Sequence, residues 1–217
     1  MFIVEKESKS IAAESYRTLR TNIQYSSFDK EYRVIVVTSS EPGEGKSTTS
    51  GNLALSLAQD NKKVILIDCD LRKPSIHKKF KISNLVGLSD VLVGKAEIAK
   101  VVHKYNNNLV ILTSGKIPPN PSEMLSSKAM TNLLENLKET FDYIILDTPP
   151  VQAVTDSQIL STKADGTLLV VRAEKTKKES VHNAVNLLRK VNANIIGAVL
   201  NGIDSSRGKY YYYYSEK

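Results

Sequence analysis

The sequence predicts an α/β fold of three layers, in which helices cover both faces of a mainly parallel β-sheet. Apolar runs rich in β-branched residues alternate with segments of helical periodicity, a pattern typical of parallel strands joined by right-handed helical crossovers. Two of these runs end in aspartate, and the carboxyl ends of parallel strands are where α/β proteins bind ligands. With 41% hydrophobic and 24% charged residues, the composition is that of an ordinary globular protein.

The length of 217 residues suits one substantial domain, because two domains would each have a small core. We expect a single domain over residues 1–207 and a flexible, tyrosine-rich tail over residues 208–217. No apolar run approaches the roughly 20 residues that cross a bilayer, and the N-terminus lacks the regions of a signal peptide. The single cysteine, Cys69, excludes an internal disulfide and a four-cysteine metal site. These features together predict a cytoplasmic protein.

The net charge of +7 favours contact with an anion, which could be a nucleotide, an acidic protein tail, a lipid surface or nucleic acid. Aromatic residues that could stack on bases are few before the tail, which argues against sequence-specific binding of nucleic acid. The densest basic stretch is formed by Arg72, Lys73, Lys78, Lys79 and Lys81.

Residues 34–52 predict a strand, a glycine-rich loop and the start of a helix. Backbone N–H groups that converge on an anion need small residues in unusual conformations, here Gly43 and Gly45, followed by the positive end of a helix. Lys46 would then reach the β- and γ-phosphates of a nucleotide, and the Ser47 hydroxyl would bind Mg²⁺. The strict pattern has glycine where this chain has Ser40, and the alternative is a glycine turn that caps an ordinary helix.

This loop predicts a phosphate-loop (P-loop) NTPase fold, with ATP and Mg²⁺ as cofactors, and the family resemblance described below implies the deviant Walker type of that fold. The loop residues predicted to bind the nucleotide are Gly43, Glu44, Gly45, Lys46, Ser47 and Thr48.

Acidic side chains end two of the predicted strands. The run over residues 64–70 closes with Asp68 and Asp70, which strand alternation places on one face, with Cys69 on the other. Two carboxylates beside a triphosphate are costly unless a cation or a transferable proton is present. The run over residues 143–150 contains Asp147, which could hold Mg²⁺ directly or through water. The alternative for each acid is an ordinary polar residue at a strand end.

The remaining segments up to residue 203 are less specific. Short helices and loops are expected over residues 74–108. Prolines forbid a helix until about Ser122, which is expected with Glu123 to cap the helix that follows. Asn201, just beyond the last predicted strand, fits a bond to the adenine edge and a turn before Gly202 equally well. Three further strands are predicted, over residues 109–115, 167–176 and 195–203.

The two ends of the chain carry one motif each. A helix is predicted over residues 8–28, with Glu14, Arg17 and Arg20 on one face, and by itself this spacing fits a local ion pair on a solvated helix. The tail contains five consecutive tyrosines, which could form an aggregating strand or serve as phosphoryl acceptors. The candidate acceptors are Tyr210, Tyr211, Tyr212, Tyr213 and Tyr214.

The chain resembles the bacterial protein-tyrosine kinases in five motifs: the loop EPGEGKST, the acid pair in LIDCDLRKP, the strand ILDTPP, the helix ESYRTLR and the tyrosine tail. It is most similar to the Gram-positive form, the capsular or exopolysaccharide tyrosine autokinases, in which the kinase and its membrane activator are separate polypeptides. The resemblance covers essentially the whole chain. The tail differs from that of many relatives, because its five tyrosines are uninterrupted.

The resemblance implies roles for the acidic and loop residues. Lys46 and Ser47 bind ATP and Mg²⁺ in the Walker A role, Asp68 and Asp70 form a second Walker-type motif, and Asp147 is the Walker B acid. Lys46, Asp68 and Asp70 are thus the expected catalytic residues, and Ser47, Asp68 and Asp147 the expected metal ligands. Asp70 is the candidate base for the acceptor tyrosine and Asp68 acts mainly on the metal, although the two could exchange roles.

The resemblance also implies partners. Glu14, Arg17 and Arg20 match the family's oligomerisation motif, so we expect a homo-oligomer that is ring-shaped when unphosphorylated. A cytoplasmic segment of the membrane activator would complete the nucleotide site and recruit the kinase to the inner face of the membrane. A cognate tyrosine phosphatase and exogenous protein substrates are expected as well. The alternative function is a partition or positioning ATPase of the same fold, which usually has a further lysine where this chain has Glu41.

Overall fold

The computed structural model describes residues 2–26 and 31–203, so the predicted tail and its tyrosines lie outside the described residues. The strands are β1 (Val34–Ser39), β2 (Val64–Asp68), β3 (His103–Lys104), β4 (Leu109–Leu112), β5 (Tyr143–Asp147), β6 (Gly166–Arg172) and β7 (Ile195–Asn201). The helices are α1 (Ile3–Lys6), α2 (Ile11–Tyr25), α3 (Lys46–Gln59), α4 (Ile76–Phe80), α5 (Leu88–Leu92), α6 (Ile98–Val101), α7 (Pro121–Ser126), α8 (Lys128–Lys138), α9 (Asp156–Ser161) and α10 (Lys178–Lys190).

The strands form one sheet with the order β3-β4-β2-β5-β1-β6-β7. β3 runs antiparallel to β4, and all other neighbouring strands are parallel. Parallel pairing requires crossover connections, which explains why helices separate most of the strands along the chain. The predicted three-layer fold with a mainly parallel sheet is confirmed.

Hydrophobic clusters cover the two faces of the sheet. Ile35 and Val37 of β1 belong to the cluster that contains the leucines of α3. Val34 and Val36, which point the other way, belong to the cluster that contains the leucines of α8. Each fully buried aliphatic side chain stabilises the fold by about 1.5–3 kcal/mol. This packing fixes the carboxyl ends of the central strands, where the candidate site residues lie.

The N-terminal residues pack against α3, the helix that follows the phosphate loop. A Cβ atom at Gly51 would come within 2.1 Å of the Phe2 ring, so only glycine allows the ring to lie this close. The side-chain oxygen of Asn52 accepts a hydrogen bond from the N–H of Val4 at 3.2 Å. α3 is therefore held between the sheet on one side and the N-terminal segment on the other.

The N-terminal helix is shorter than the sequence predicted. α2 begins at Ile11 rather than at residue 8, because the Ser10 hydroxyl caps it by accepting a hydrogen bond from the N–H of Ala13 at 3.2 Å. It ends at Tyr25, and residues 27–28 of the predicted helix lie outside the described residues.

The predicted strand ends also need correction. β4 stops at Leu112 instead of residue 115, since Gly115 adopts a left-handed conformation with φ of 77°. β6 stops at Arg172 instead of residue 176, because Thr176 folds back and its N–H bonds the Arg172 carbonyl at 3.1 Å. The sequence analysis missed β3, which has only two residues and so gives no periodic signal.

The prediction that Ser122 caps a helix is wrong. α7 begins one residue earlier, at Pro121, where proline is tolerated because the first helical N–H has no partner within the helix. The Ser122 hydroxyl instead donates a hydrogen bond to Asp156 at 2.6 Å. Across residues 2–26 and 31–203, none of the helices has the length and apolar content that crossing a bilayer requires.

Candidate active site

The phosphate loop joins β1 to α3 and contains two glycines with left-handed backbones. Gly43 has φ of 81° and Gly45 has φ of 100°, values that other residues rarely adopt. Gly45 is also the N-cap of α3, so the loop ends at the positive end of a 14-residue helix. The two left-handed glycines and the start of the helix therefore lie where the predicted phosphate loop requires them.

Glu44 stabilises the loop through its side chain. The side chain is almost completely buried, and one oxygen accepts a hydrogen bond from the N–H of Glu41 at 2.9 Å. The other oxygen accepts one from the Thr176 hydroxyl. The carboxylate thus ties the loop to the turn after β6, which leaves only the backbone of Glu44 to meet a phosphate.

Asn201 lies at the end of β7 rather than beyond it, which corrects the predicted position. Its side-chain NH₂ donates a hydrogen bond to the Glu44 carbonyl at 2.9 Å. A Cβ atom at residue 45 would lie only 1.9 Å from this nitrogen, so Gly45 is needed for the contact. Asn201 therefore positions the phosphate loop, a role that neither predicted alternative included.

Asp147 ends β5 with its side chain fully buried. One oxygen accepts a hydrogen bond from the Ser50 hydroxyl at 3.0 Å, whereas the other, Oδ2, is buried with no hydrogen-bond partner. Burial raises the pKa of Asp147, and the Lys46 charge and the hydroxyls of Ser47 and Ser50 lower it in part. A buried carboxylate oxygen without a partner suits a cation or a cation-bound water.

Asp68 ends β2 directly beside Asp147 in the parallel register. Its Oδ2 accepts hydrogen bonds from the N–H groups of Ser75 and Ile76, each at 3.0 Å, and its Oδ1 accepts one from the N–H of Asp70 at 3.2 Å. Burial, followed by the charge of Asp147, raises the pKa of Asp68 to about 8. Both oxygens already have backbone partners, so Asp68 shapes the chain that follows β2 as well as contributing charge.

Asp70 lies two residues beyond the end of β2, so strand alternation does not determine its orientation. Its Oδ1 accepts a hydrogen bond from the N–H of Lys73 at 2.9 Å, and its Oδ2 lies 3.5 Å from the Lys46 ammonium. Both side chains of this ion pair are largely shielded from solvent. The structure therefore brings the predicted phosphate-binding lysine and the predicted base together.

Ser47 and Thr48 occupy the first turn of α3. The Ser47 residue is buried, and hydrogen bonding from its hydroxyl lowers the pKa of Asp147. The Thr48 hydroxyl accepts a hydrogen bond from the Lys79 ammonium at 2.9 Å. Lys79 thus adds a second ammonium group beside the loop. In the sequence, only the basic stretch that contains Lys79 indicated a further positive charge near the loop.

The structure also reveals a polar cluster that the sequence analysis missed. Arg72 donates two hydrogen bonds to the fully buried Asp156, from Nε at 2.9 Å and from Nη2 at 3.1 Å. Hydrogen bonding to Asp156 raises the pKa of Arg72. The cluster ties the segment after Asp70 to α7 and α9, because Ser122 also bonds Asp156. Nothing in the sequence indicated that Asp156 has this partner.

The three residues of the predicted oligomerisation motif do not share one environment. Glu14 and Arg17 form an exposed ion pair of 2.6 Å on α2. Arg20 turns toward α3, where its Nη1 donates a hydrogen bond to the Ser56 carbonyl at 3.0 Å and its Nη2 lies 3.8 Å from Asp60. Arg20 therefore supports the phosphate-loop helix within the same chain.

The acids at the sheet edge fit Mg²⁺ better than a metal held entirely by protein. Among residues 2–26 and 31–203, no group of three or more His, Cys, Asp or Glu side chains is arranged to hold a metal ion. Mg²⁺ usually takes one or two carboxylates and completes its shell with water and substrate phosphates. The unpartnered Oδ2 of Asp147 beside Ser47 is consistent with that mode of binding.

Comparison with known proteins first establishes the fold. The family model described as "AAA domain" matches residues 32–199. The septum site-determining protein MinD of Pyrococcus horikoshii, solved as a complex with Mg-ADP, superposes with a TM-score of 0.65 and 23% identity over 77% of this chain and 69% of that chain. At this level of identity the likeness shows a shared fold.

Closer relatives are tyrosine-protein kinases. YwqD of Bacillus subtilis is 46% identical over 216 residues, which cover 99% of this chain and 91% of the relative. CpsD of Streptococcus agalactiae is 38% identical over 91% of this chain and 86% of the relative. The solved kinase domain of Escherichia coli tyrosine kinase ETK superposes with a TM-score of 0.91 and 34% identity, covering 98% of this chain and 84% of that one. The chain therefore belongs to the bacterial tyrosine-protein kinase family.

Proposed function

We propose that this tyrosine-protein kinase uses ATP and Mg²⁺ to phosphorylate the tail tyrosines of a neighbouring copy. The observation that carries the proposal is the ion pair of 3.5 Å between Lys46 and Asp70, because it puts a phosphate-binding cation and a candidate base at one point. The kinase domain extends over residues 1–207, and the acceptors are Tyr210 to Tyr214. Phosphorylation in this way regulates the synthesis and export of capsular or extracellular polysaccharide.

The chain's own residues perform the transfer mainly by positioning. The loop amides of residues 43–48 and the Lys46 ammonium hold the phosphates, so Lys46 leaves Asp70 when nucleotide enters. The tyrosine oxygen then forms a bond to the γ-phosphorus while the bond to the β–γ bridging oxygen breaks. Asp70 accepts the proton of the phenol, whose ordinary pKa is about 10. Phosphotyrosine and ADP leave the site.

The geometry supports Asp70 over Asp68 as the base. Asp68 accepts backbone hydrogen bonds on both oxygens, and it is one of the residues proposed to hold Mg²⁺. A carboxylate whose oxygens are occupied in this way is poorly placed to accept the proton of the acceptor tyrosine. Asp70 turns one oxygen toward Lys46, and departure of that lysine frees it.

Ser47, Asp68 and Asp147 are the residues that would hold Mg²⁺. The ion supplies neutralisation of the charge on the transferred phosphoryl group. Support comes from the buried, unpartnered Oδ2 of Asp147 and from the two raised carboxyl pKa values, because a cation would stabilise the ionised forms of both acids.

The proposal includes the partners implied by the resemblance. A cytoplasmic segment of a separate membrane activator completes the nucleotide site and brings the kinase to the inner face of the membrane. Unphosphorylated copies assemble into a ring through α2, a cognate phosphatase reverses the modification, and exogenous proteins serve as further substrates. Three or more phosphates place a charge of roughly −5 or beyond on the tail. Repulsion from Asp68, Asp70 and the nucleotide then separates the copies.

Replacing Lys46 tests the proposed activity. We expect Lys46→Met to abolish phosphotyrosine formation while the protein stays folded, since the side chain contributes charge to the site and little to the core. The measurement is transfer of label from ATP with the activator segment present, with phosphotyrosine mapping of the tail and circular dichroism as the folding check. Lys100→Met, which removes an exposed lysine from α6, is the matched control. Tail labelling that persists in the Lys46 variant contradicts the assignment.

Two aspartate variants separate the base from the metal ligands. Asp70→Asn is expected to lower the rate of transfer by roughly 10²–10⁴-fold and to change nucleotide affinity much less, because a base acts on the acceptor. Asp147→Asn is expected to weaken Mg²⁺-dependent nucleotide binding. Calorimetric titration and single-turnover kinetics distinguish the two effects. If Asp70→Asn weakens Mg²⁺-nucleotide binding as strongly as it slows transfer, Asp70 is a metal ligand and not the base.

Arg17 provides the cleaner test of assembly, because Arg20 supports α3 within the chain. We expect Arg17→Ala to lower the association constant of the unphosphorylated protein by up to about fivefold per interface, with little change in the unfolding midpoint. Arg20→Ala should lower that midpoint as well. Arg189→Ala, at the end of α10, is the matched control. Sedimentation that shows an unchanged ring for Arg17→Ala contradicts a role of this residue in assembly.

A further inference from the structure

Three large apolar side chains are exposed on two neighbouring segments near the carboxyl end of β4. Leu85 is 73% exposed, Val86 42% and Ile117 64%. The segments that contain them run side by side, because the N–H groups of Leu88 and Ser89 bond the carbonyls of Thr113 and Ser114 at 2.8 and 2.9 Å. We call Leu85, Val86 and Ile117 the apolar platform.

Hydrogen bonds between the two segments hold the backbone of the platform in place. The Asn84 side chain donates a hydrogen bond to the Gly115 carbonyl at 2.9 Å and accepts one from the Gly115 N–H at 3.0 Å. The Ser89 hydroxyl bonds the Lys116 carbonyl at 2.8 Å. A Cβ atom at Gly87 would lie 2.2 Å from the Thr113 carbonyl oxygen, so glycine is required for the close approach. Hydrogen bonds thus fix the backbone from which the apolar side chains project. They do not cover these side chains, which stay exposed to solvent.

The platform lies next to the acidic end of β2. Ile67 of β2 is opposite Leu112 of β4 in the parallel register, so Thr113 follows directly beside Asp68. Adjacent strands are about 4.8 Å apart, and the segment 85–88 lies one further spacing away. The platform is therefore roughly 10–15 Å from the carboxylates, the distance that three or four residues of an extended peptide cover.

The nucleotide and the platform lie on opposite sides of the proposed base. The phosphate loop follows β1, and Asn201, which contacts the loop, ends β7 at the far edge of the sheet. Asp70 follows β2, between the loop and β4. An acceptor that attacks the γ-phosphate from the side away from the leaving group must approach over the β2 and β4 side.

We propose that the apolar platform docks the aromatic residues that flank the acceptor tyrosine in the tail of a second copy. The inference rests on the proposed function. Tyrosine rings bury large apolar surfaces at low entropic cost, and in the run of five every acceptor except Tyr212 has another tyrosine three or four residues away. On the acceptor side of the site, Leu85, Val86 and Ile117 form the apolar surface on which such rings would pack.

Chain length favours the tail of a second copy over the chain's own tail. Tyr210 is seven residues beyond Ile203, which spans at most roughly 25 Å when fully extended. Five strand spacings separate β7 from β4 and one more separates β4 from the platform, which is roughly 29 Å in all, and the direct path crosses the phosphate loop. Tyr210 of the same chain therefore falls short of the platform, and the later tyrosines would reach it only along an extended path over the bound nucleotide. A neighbouring copy has no such constraint.

Docking on an apolar surface also favours binding of unmodified tyrosines over binding of the phosphorylated product. A phosphotyrosine carries about −1.5 to −2 charges, and placing it on Leu85 or Ile117 would remove water from that charge without a compensating partner. The platform therefore holds unmodified tyrosines and releases modified ones. This release differs from electrostatic repulsion at the acids, since it depends on the aliphatic side chains.

The test uses a full-length chain in which Tyr210 to Tyr214 are replaced by serine, so that only an added acceptor is phosphorylated. The acceptor is a synthetic peptide of residues 207–217, assayed with the activator segment present. Leu85→Ser and Ile117→Ser are expected to raise the KM for the peptide roughly 5- to 10-fold each, with an unchanged KM for ATP and unchanged ATP hydrolysis without peptide. Leu200→Ser, at another exposed leucine, on β7, is the matched control and should behave as the parent chain.

A second measurement does not depend on turnover. A fluorescein-labelled peptide 207–217 should bind the parent chain with an anisotropy change that Leu85→Ser weakens by the same factor, and the phosphorylated peptide should bind more weakly than the unmodified one. Unchanged peptide KM and affinity in both platform variants overturn the proposal. The proposal is also overturned if the platform variants lose only the stimulation of the kinase by the activator segment, because the activator would then be the partner that binds the platform. Failure of the parent chain to phosphorylate any tyrosine peptide would instead contradict the proposed function.

Discussion

The structure depends on the burial of two carboxyl groups, Asp68 and Asp147, side by side at the ends of adjacent parallel strands. Burial raises the pKa of both acids, and the charge of Asp147 helps to raise the pKa of Asp68 to about 8. The folded protein therefore keeps a proton that the unfolded chain releases near its ordinary pKa of about 3.9. Stability is consequently lost as pH rises between about 4 and about 8. A cation between these acids, as proposed above, would offset the penalty and would account for the unfavourable charge arrangement at this edge of the sheet.

The surrounding elements hold this edge from several directions. Glu44 and Asn201 fix the phosphate loop, the pair formed by Arg72 and Asp156 fixes the chain after β2, and Arg20 connects the N-terminal helix to α3. The last contact would link the proposed assembly to the proposed nucleotide site, because α2, which contains the predicted oligomerisation motif, bonds α3, which begins with Lys46. A change in the position of α2 would act on α3 directly. The apolar platform lies at the same edge, on the side proposed for the acceptor.

The sequence was sufficient for the fold class and for the strand-end acids, because apolar periodicity and glycine spacing are local signals. It also brought Lys46, Ser47 and Asp147 correctly to one region, since the carboxyl ends of parallel strands meet at one edge. It failed where the partner is distant in the chain. Nothing local shows that Asp156 binds Arg72, that Asn201 reaches the Glu44 carbonyl, or that Arg20 faces α3 and not solvent. The short strand β3 and the proline start of α7 were missed because neither has a periodic pattern.

In the proposed mechanism, the buried acids Asp68 and Asp147 bind a cation that enters the site with the nucleotide. The most direct measurement is calorimetric titration of Mg²⁺-ADP at pH 7 in buffers of different ionisation enthalpy, which counts the protons exchanged on binding. The account predicts net proton release, because the cation lowers the pKa that burial and Asp147 raise to about 8 at Asp68, and it predicts less release in Asp147→Asn. Binding without proton release, or release that is the same in Asp147→Asn, would contradict it.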